Sequence, residues 1–496
     1  MELNSEGEKA TYIRENQKLP LLLAIELINE MPRIVRSNNN LYVFNGKFYD
    51  LLADQDIQKA FNDFVLKYGI VAQWKTQVIT AIILFFKTYG KIEEVEMNGK
   101  TNLLCLKNIV LDTITLQEFE HSSEFFFDTS IDVEYDKNAT ECPSFINYVN
   151  HVFNYDKPTV ENIIRLGGYL LDYDVENMKK CNKMFMFDGP GGSGKSTLIE
   201  TFSLFFAEEQ ISSLSLDDIG SNNQEKTDII TSRINFTTEQ KRSMVEAETI
   251  KTVISGERTK VLRKFQDPIT IRPKMKIIVA CNGLPKFTDT SDGIYRRLMI
   301  FTFMNIYKPE PDYLNIKNAE AQGIFMQDRD LLDKIKAEKQ SILNLFLGGL
   351  KDLRANNFLM VDSPRSEDSL EDFKSMNDTV REFLVANFEV DMEARLPVKL
   401  IFDGFRQWYK DNVSEHNNKF RSAELSKRIK DVFTINSNGK EQVLTGGTAH
   451  EFSTTYPLKK KDDTYISEPT TNTEASVSSL RDTTEGSEPT QEALPV

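Results

Sequence analysis

The residues best suited to chemistry in this sequence lie between positions 189 and 297. Gly189-Pro190-Gly191-Gly192-Ser193-Gly194-Lys195-Ser196 fits the spacing GxxxxGK[ST], and Thr197 follows it. The apolar run MFMF (184–187) precedes the motif and STLIETF follows, which predicts strand, loop and helix in the order such a motif needs. Glycines at 189, 191, 192 and 194 would let backbone N–H groups turn inward around phosphates. A helix starting near Lys195 would aim its positive end at the same anion. Lys195 is placed to bridge the β- and γ-phosphates and Ser196 to ligate Mg²⁺. The expectation is a site for a nucleoside triphosphate, ATP with Mg²⁺.

Hydrolysis at such a site also needs an acid for water or metal, a polar group at the γ-phosphate and, in most cases, an arginine. Three downstream segments offer them in order. SRINFTTEQ (232–240) is a short strand reaching Glu239. KIIVACN (276–282) is a buried strand with Asn282 at its C-terminal end, where open α/β sheets hold ligands. DGIYRRLMIF (292–301) sets Arg296 and Arg297 before another apolar strand. Each has a plainer reading: Glu239 as a helix-start carboxylate, Asn282 as a turn before Gly283, the arginines as surface charge. Between them, GERTKVLRKFQDP (256–268) carries Arg258, Lys260, Arg263 and Lys264 with Phe265. It predicts a β-hairpin whose cations and aromatic ring suit a nucleic-acid backbone and bases. A solvated charged turn is the alternative.

These residues need a scaffold, and the chain is long enough for several domains at 496 residues. Acids outnumber bases, 75 to 60, so a chain-wide basic coat is excluded and any nucleic-acid contact must be local. Four separated cysteines without a CxxC, and four histidines in all, argue against a zinc or disulfide scaffold and fit a reducing, cytoplasmic location. The run Val78 to Phe86 is shorter than the roughly 18 residues of a membrane helix, so no membrane partner is expected. Leu41 to Leu52 reads as a hairpin turning at Asn45-Gly46. A helix follows that Asp54 could cap, ending near Gly69. From 183 to 303 short apolar strands alternate with helices, the pattern of a parallel sheet. DSPRSEDSLED (362–372) is a linker candidate. The stretch 461–496 holds twelve Ser/Thr and eight acids against two bases, a composition that stays disordered.

The order Gly189–Ser196, Glu239, a basic hairpin ending in Lys264, Asn282 and Arg296-Arg297 resembles superfamily 3 helicases. The nearest group is the poxvirus-type and phage–plasmid primase-helicase family. LCLKNIVLDTITLQEF, VEYDKNATECPSF and IIRLGGYLLDYDVENMKKCNKMFMFDG extend the likeness upstream, over roughly residues 100 to 305. The resemblance implies an AAA+-type core in a ring of identical subunits, usually a hexamer, around DNA. It implies that Lys264 and Arg263 line the pore, that Glu239 activates water beside the Ser196 metal, and that Asn282 senses the γ-phosphate. Arg296 or Arg297 would reach the neighbouring subunit's ATP. Thr238 stands where many P-loop proteins have a second acid, and Asp54-Gln-Asp56 lacks the histidines of a primase metal site. TVREFLVANF, LPVKLIFDGFRQWYKDN and FRSAELSKRIKDVF resemble the family's closing winged helix, with Lys419, Arg421, Lys427, Arg428 and Lys430 around the last helix.

The resulting expectation is an α/β protein with a mainly helical or α+β N-terminal domain (1–140) and an AAA+-type ATPase core (141–345). A winged-helix-like domain (373–436) and a disordered acidic tail (437–496) complete it. The function expected is that of a replicative DNA helicase of a phage or mobile element. The alternative is an origin-binding initiator or loader that uses ATP as a switch.

Overall fold

Five short strands pair as one parallel sheet: β1 (Met184–Asp188), β2 (Ile211–Ser212), β3 (Ile234–Gln240), β4 (Lys276–Cys281) and β5 (Leu298–Thr302). Their order across the sheet is β5-β1-β4-β3-β2, and every pairing is parallel. The computed structural model describes residues 6–220, 227–240, 243–263, 266–287, 292–361, 363–412, 421–444 and 450–461. They divide into two units, Met1–Asn377 and Asp378–Val496.

Alternate residues of the sheet feed opposite faces, as a strand's two-residue period requires. Phe185, Phe187, Phe236, Ile278 and Phe301 pack with Leu166, Phe346 and Leu350 on one side. Met184, Met186, Ile277, Val279 and Ile300 pack with Ile250, Val253 and Phe373 on the other. Both faces are covered, so β1 and β4 read as continuous apolar runs. Each buried large side chain contributes about 1.5–3 kcal/mol. The helices Lys157–Leu171 and Lys339–Ala355 cross at glycines. A Cβ on Gly168 would fall 2.9 Å from Gly349 C, and one on Gly349 equally close to Ile164 C.

Upstream, the expected hairpin pairs Asn40–Phe44 with Tyr49–Leu51. Asn45 Oδ1 accepts the N–H groups of Lys47 and Phe48 at 2.9 and 3.0 Å, which closes the turn. The hairpin belongs to a four-stranded sheet, so this region is α+β. Asp54 does not cap the next helix. The helix Asp54–Tyr68 starts after Ala53, whose N–H is taken by Asp56, while Asp54 pairs with Lys87. Gly69 ends the helix in the left-handed region, as expected.

The linker expected at 362–372 is instead mostly the helix Pro364–Asn377. Phe373 is buried against Phe287 and Tyr295, and Ser369 Oγ meets Thr302 Oγ1 at 2.8 Å. Leu370 and Phe373, three positions apart, anchor a mostly polar helix.

The second unit holds helices Thr379–Asn387, Val398–Asn412 and Ser422–Phe433. His450–Tyr456 pairs antiparallel with both Leu396–Pro397 and Gly439–Leu444. Phe383, Ile401, Phe405, Leu425, Ile429 and Tyr456 form its core. Disorder expected from residue 437 therefore does not hold for Gly439–Leu444, His450–Tyr456 and Leu458–Lys460, which are strands, and Tyr456 and Leu458 enter this core. The tail from 462 lies outside the described residues, as does Lys419. Among the described residues, no helix is long and apolar enough to cross a membrane.

Candidate active site

The loop between β1 and the helix Lys195–Ser203 forms the centre of the site. Gly192 and Gly194 stand at φ 75° and 98°, a region that side-chain-bearing residues rarely enter. Gly189 is required for a different reason, since a Cβ there would fall 2.8 Å from Phe303 Cβ and closer still to the Phe303 carbonyl oxygen. Gly191 has neither constraint: its φ is not positive and nothing lies within 4 Å of an added Cβ. The four glycines are thus not equivalent, contrary to the sequence reading.

Lys195 is 8% exposed. Its Nζ donates to the carbonyls of Gly189 (2.6 Å) and Pro190 (2.8 Å), to Ser193 Oγ (3.3 Å) and to Asn282 Oδ1 (3.1 Å). Burial pushes its ammonium below the ordinary lysine value, with Cys281 and Asp188 opposing. Lys195 and Asn282, 87 positions apart, therefore meet. Ser196 is exposed and Thr197 half-buried at the first turn of the helix. The loop is seated from outside the motif as well. Tyr148 donates its hydroxyl to the Gly194 carbonyl at 2.6 Å, and Tyr307 N–H donates to the Gly192 carbonyl at 2.8 Å.

The strand ends bring the other candidates to the same edge. Gln240 is opposite Cys281, and Cys281 is opposite Asp188, so β3, β4 and β1 end level. Glu239 is exposed on that edge, beside the irregularity that separates Thr237 from Gln240. The arginine pair divides. Arg297 donates to Asn182 Oδ1 (3.1 Å), the Gly293 carbonyl (2.6 Å) and Ser255 Oγ (3.3 Å). Arg296 is exposed. Thr259–Arg263 and Gln266–Ile271 form the antiparallel hairpin read from the sequence, with Arg258 and Lys260 exposed at its base. Lys264 and Phe265 lie outside the described residues.

The residues present suit a polyphosphate with a divalent cation: two left-handed glycines shape a cradle, a buried ammonium faces it, and a hydroxyl stands at the helix start. Sequence reasoning missed Tyr148, Tyr307 and Asp188. Only Asp188 carried a signal, being the residue just before the motif.

Residues 21–154 match the family described as "D5 N terminal like". Residues 187–297 match the "Family of unknown function (DUF5906)", a span that runs from the end of β1 to the arginine pair. A protein of Acanthamoeba polyphaga mimivirus named "Putative helicase L207/L206" is 23% identical over 178 residues, covering 33% of this chain. The match spans only 17% of that protein. Two solved chains, "The apo structure of NrS-1 C terminal region (305-718)" and "The A form apo structure of NrS-1 C terminal region-CTR", give TM-scores of 0.48 and 0.46. Their identities are 14% and 15%, and the matches cover 89% and 79% of this chain and 99% and 80% of theirs. The D5 N-terminal-like and DUF5906 segments, with the viral relative, bear out the resemblance to the phage and viral primase-helicase type.

Proposed function

We propose that this protein is an ATP-driven DNA helicase of a phage or mobile element, with an AAA+-type core acting as a ring, hexameric in the family's usual form. The observation that carries this reading is the meeting of Lys195 Nζ and Asn282 Oδ1 at the C-terminal edge of the β5-β1-β4-β3-β2 sheet. In this reading Lys195 neutralises the β- and γ-phosphates, and Gly189 to Ser196 supply inward N–H groups. Ser196 and Glu239 hold Mg²⁺, which supplies charge neutralisation when bound. Glu239 orients and deprotonates water, and Asn282 reads the γ-phosphate. Arg296 is the better placed of the pair to reach a neighbouring subunit, because Arg297 is tied to its own chain. Arg258, Lys260, Arg263 and Lys264 form the DNA-contacting hairpin. The second unit serves as a winged helix near duplex DNA, and Asp378 engages one of its cations, Arg428.

Steady-state ATPase with and without single-stranded DNA tests the proposal. Hydrolysis stimulated by DNA in the wild type, with stimulation lost in Arg263→Ala/Lys264→Ala, is the expected result. ATPase activity indifferent to DNA would contradict it.

A further inference from the structure

Asp188, the last residue of β1, is joined to the turn that carries Asn282. Its Oδ1 accepts the Gly283 N–H at 2.8 Å, and the Cys281 thiol approaches the same oxygen at 3.7 Å. Asp188 is also the direct cross-strand neighbour of Cys281. Gly189 N–H also donates to the Cys281 carbonyl at 3.3 Å, so loop and turn are joined at two successive residues, Asp188 and Gly189. Gly283 stands at φ 102°, a conformation that glycine enters readily and leaves readily. An external hold on this turn therefore has something to fix.

A carboxylate beside a polyphosphate site works against binding, because like charges repel strongly where water is scarce. Its presence there calls for a compensating task. A charged acceptor bonds a backbone N–H more strongly than a neutral one does. Asp188 directs that bond at the residue adjoining Asn282, whose Oδ1 is 3.1 Å from Lys195 Nζ.

We propose that Asp188 is a positioning residue for Asn282: by holding Gly283 N–H it fixes the turn that presents the Asn282 amide to the γ-phosphate. This rests on the nucleotide reading above. Asp188 touches neither phosphate nor water in this account, so the effect of its loss on kcat should match that of losing Asn282.

The test is a double-mutant cycle in the full chain with Asp188→Ala, Asn282→Ala and the double variant, reading kcat, KM and equilibrium binding of a fluorescent ATP analogue. Each single variant should lower kcat by about 10- to 100-fold, the range for a bond to a charged group, while KM moves less than about threefold. The double variant should lie within about twofold of Asn282→Ala, because the two act as a unit. Asp188→Asn keeps an acceptor oxygen and should stay within about fivefold of wild type. It also decides the matter if Asp188→Ala fails to fold. Multiplicative losses, an unchanged kcat in Asp188→Ala or in Asn282→Ala, or an Asp188→Asn as impaired as Asn282→Ala would each overturn the proposal. A wild type that binds no analogue would instead overturn the nucleotide reading itself.

Discussion

Gly189→Ala and Gly191→Ala are the same chemical change two positions apart, and the structure assigns them opposite outcomes. At Gly189 the new methyl would stand 2.8 Å from Phe303 Cβ, whereas ordinary contacts begin near 3.4 Å. Something must give by at least about 0.6 Å, and more at the Phe303 carbonyl. Phe303 resists: its N–H donates to the Asp188 carbonyl at 2.7 Å, and its ring is buried against Phe153 and Phe187. The loop therefore moves. Overpacking of this kind costs about 1–3 kcal/mol, and displacing a catalytic loop by about 1 Å costs about 100-fold in rate. Gly191→Ala meets no atom and no unfavourable φ, so stability should stay within about 0.5 kcal/mol of wild type and ATPase within about twofold. Denaturant unfolding and steady-state ATPase of the two variants, side by side, make the comparison. Equal loss in both, or full activity in Gly189→Ala, would refute the reasoning.

Lys195→Ala should abolish hydrolysis with the fold retained, since the ammonium contacts loop acceptors and not the apolar core; ATPase activity in a cooperatively melting variant would disprove the assignment. Arg297→Ala should lower stability by about 1–2 kcal/mol through the loss of its half-buried bonds, while Arg296→Ala keeps stability and loses about three to five orders of magnitude in rate. Mixing Arg296→Ala with Lys195→Ala protein should restore part of the activity, and no rescue in demonstrably mixed rings would argue against a shared site. Lys276 is buried with its ammonium on the Tyr169, Leu170 and Asp172 carbonyls, and burial pushes its pKa from 10.5 down to about 8. Between those values the unfolded chain binds the extra proton, so wild-type stability relative to Lys276→Met should rise with pH across that window; a flat difference in denaturant melts would contradict this.

The strand, loop and helix around Gly189–Ser196 were legible because glycines at fixed spacing between an apolar run and a helix former dictate that local path, and β1 and β4 because burial on both faces leaves mainly apolar residues. The helix Pro364–Asn377 was not, since its buried anchors are few and its remaining residues have a linker's polarity. Asp54 is the cap expected from the sequence, and only the path of the chain at Ala53 shows that Asp56 takes the free N–H instead. The strands Gly439–Leu444, His450–Tyr456 and Leu458–Lys460 are short and mostly polar; Tyr456 and Leu458 pack into the second core, and Gly439–Leu444 pairs with His450–Tyr456. Arg297 was indistinguishable from Arg296 because its partners, Asn182 and Ser255, are distant in sequence.

In the proposed function the Lys195–Asn282 site drives strand separation. Strand displacement on a forked DNA duplex, with purified full-length protein, ATP and Mg²⁺, tests it most directly. Wild type should unwind the fork steadily and Lys195→Ala not at all. Tight duplex binding without unwinding, under conditions where ATP is hydrolysed, would contradict it and favour an origin-binding initiator or loader.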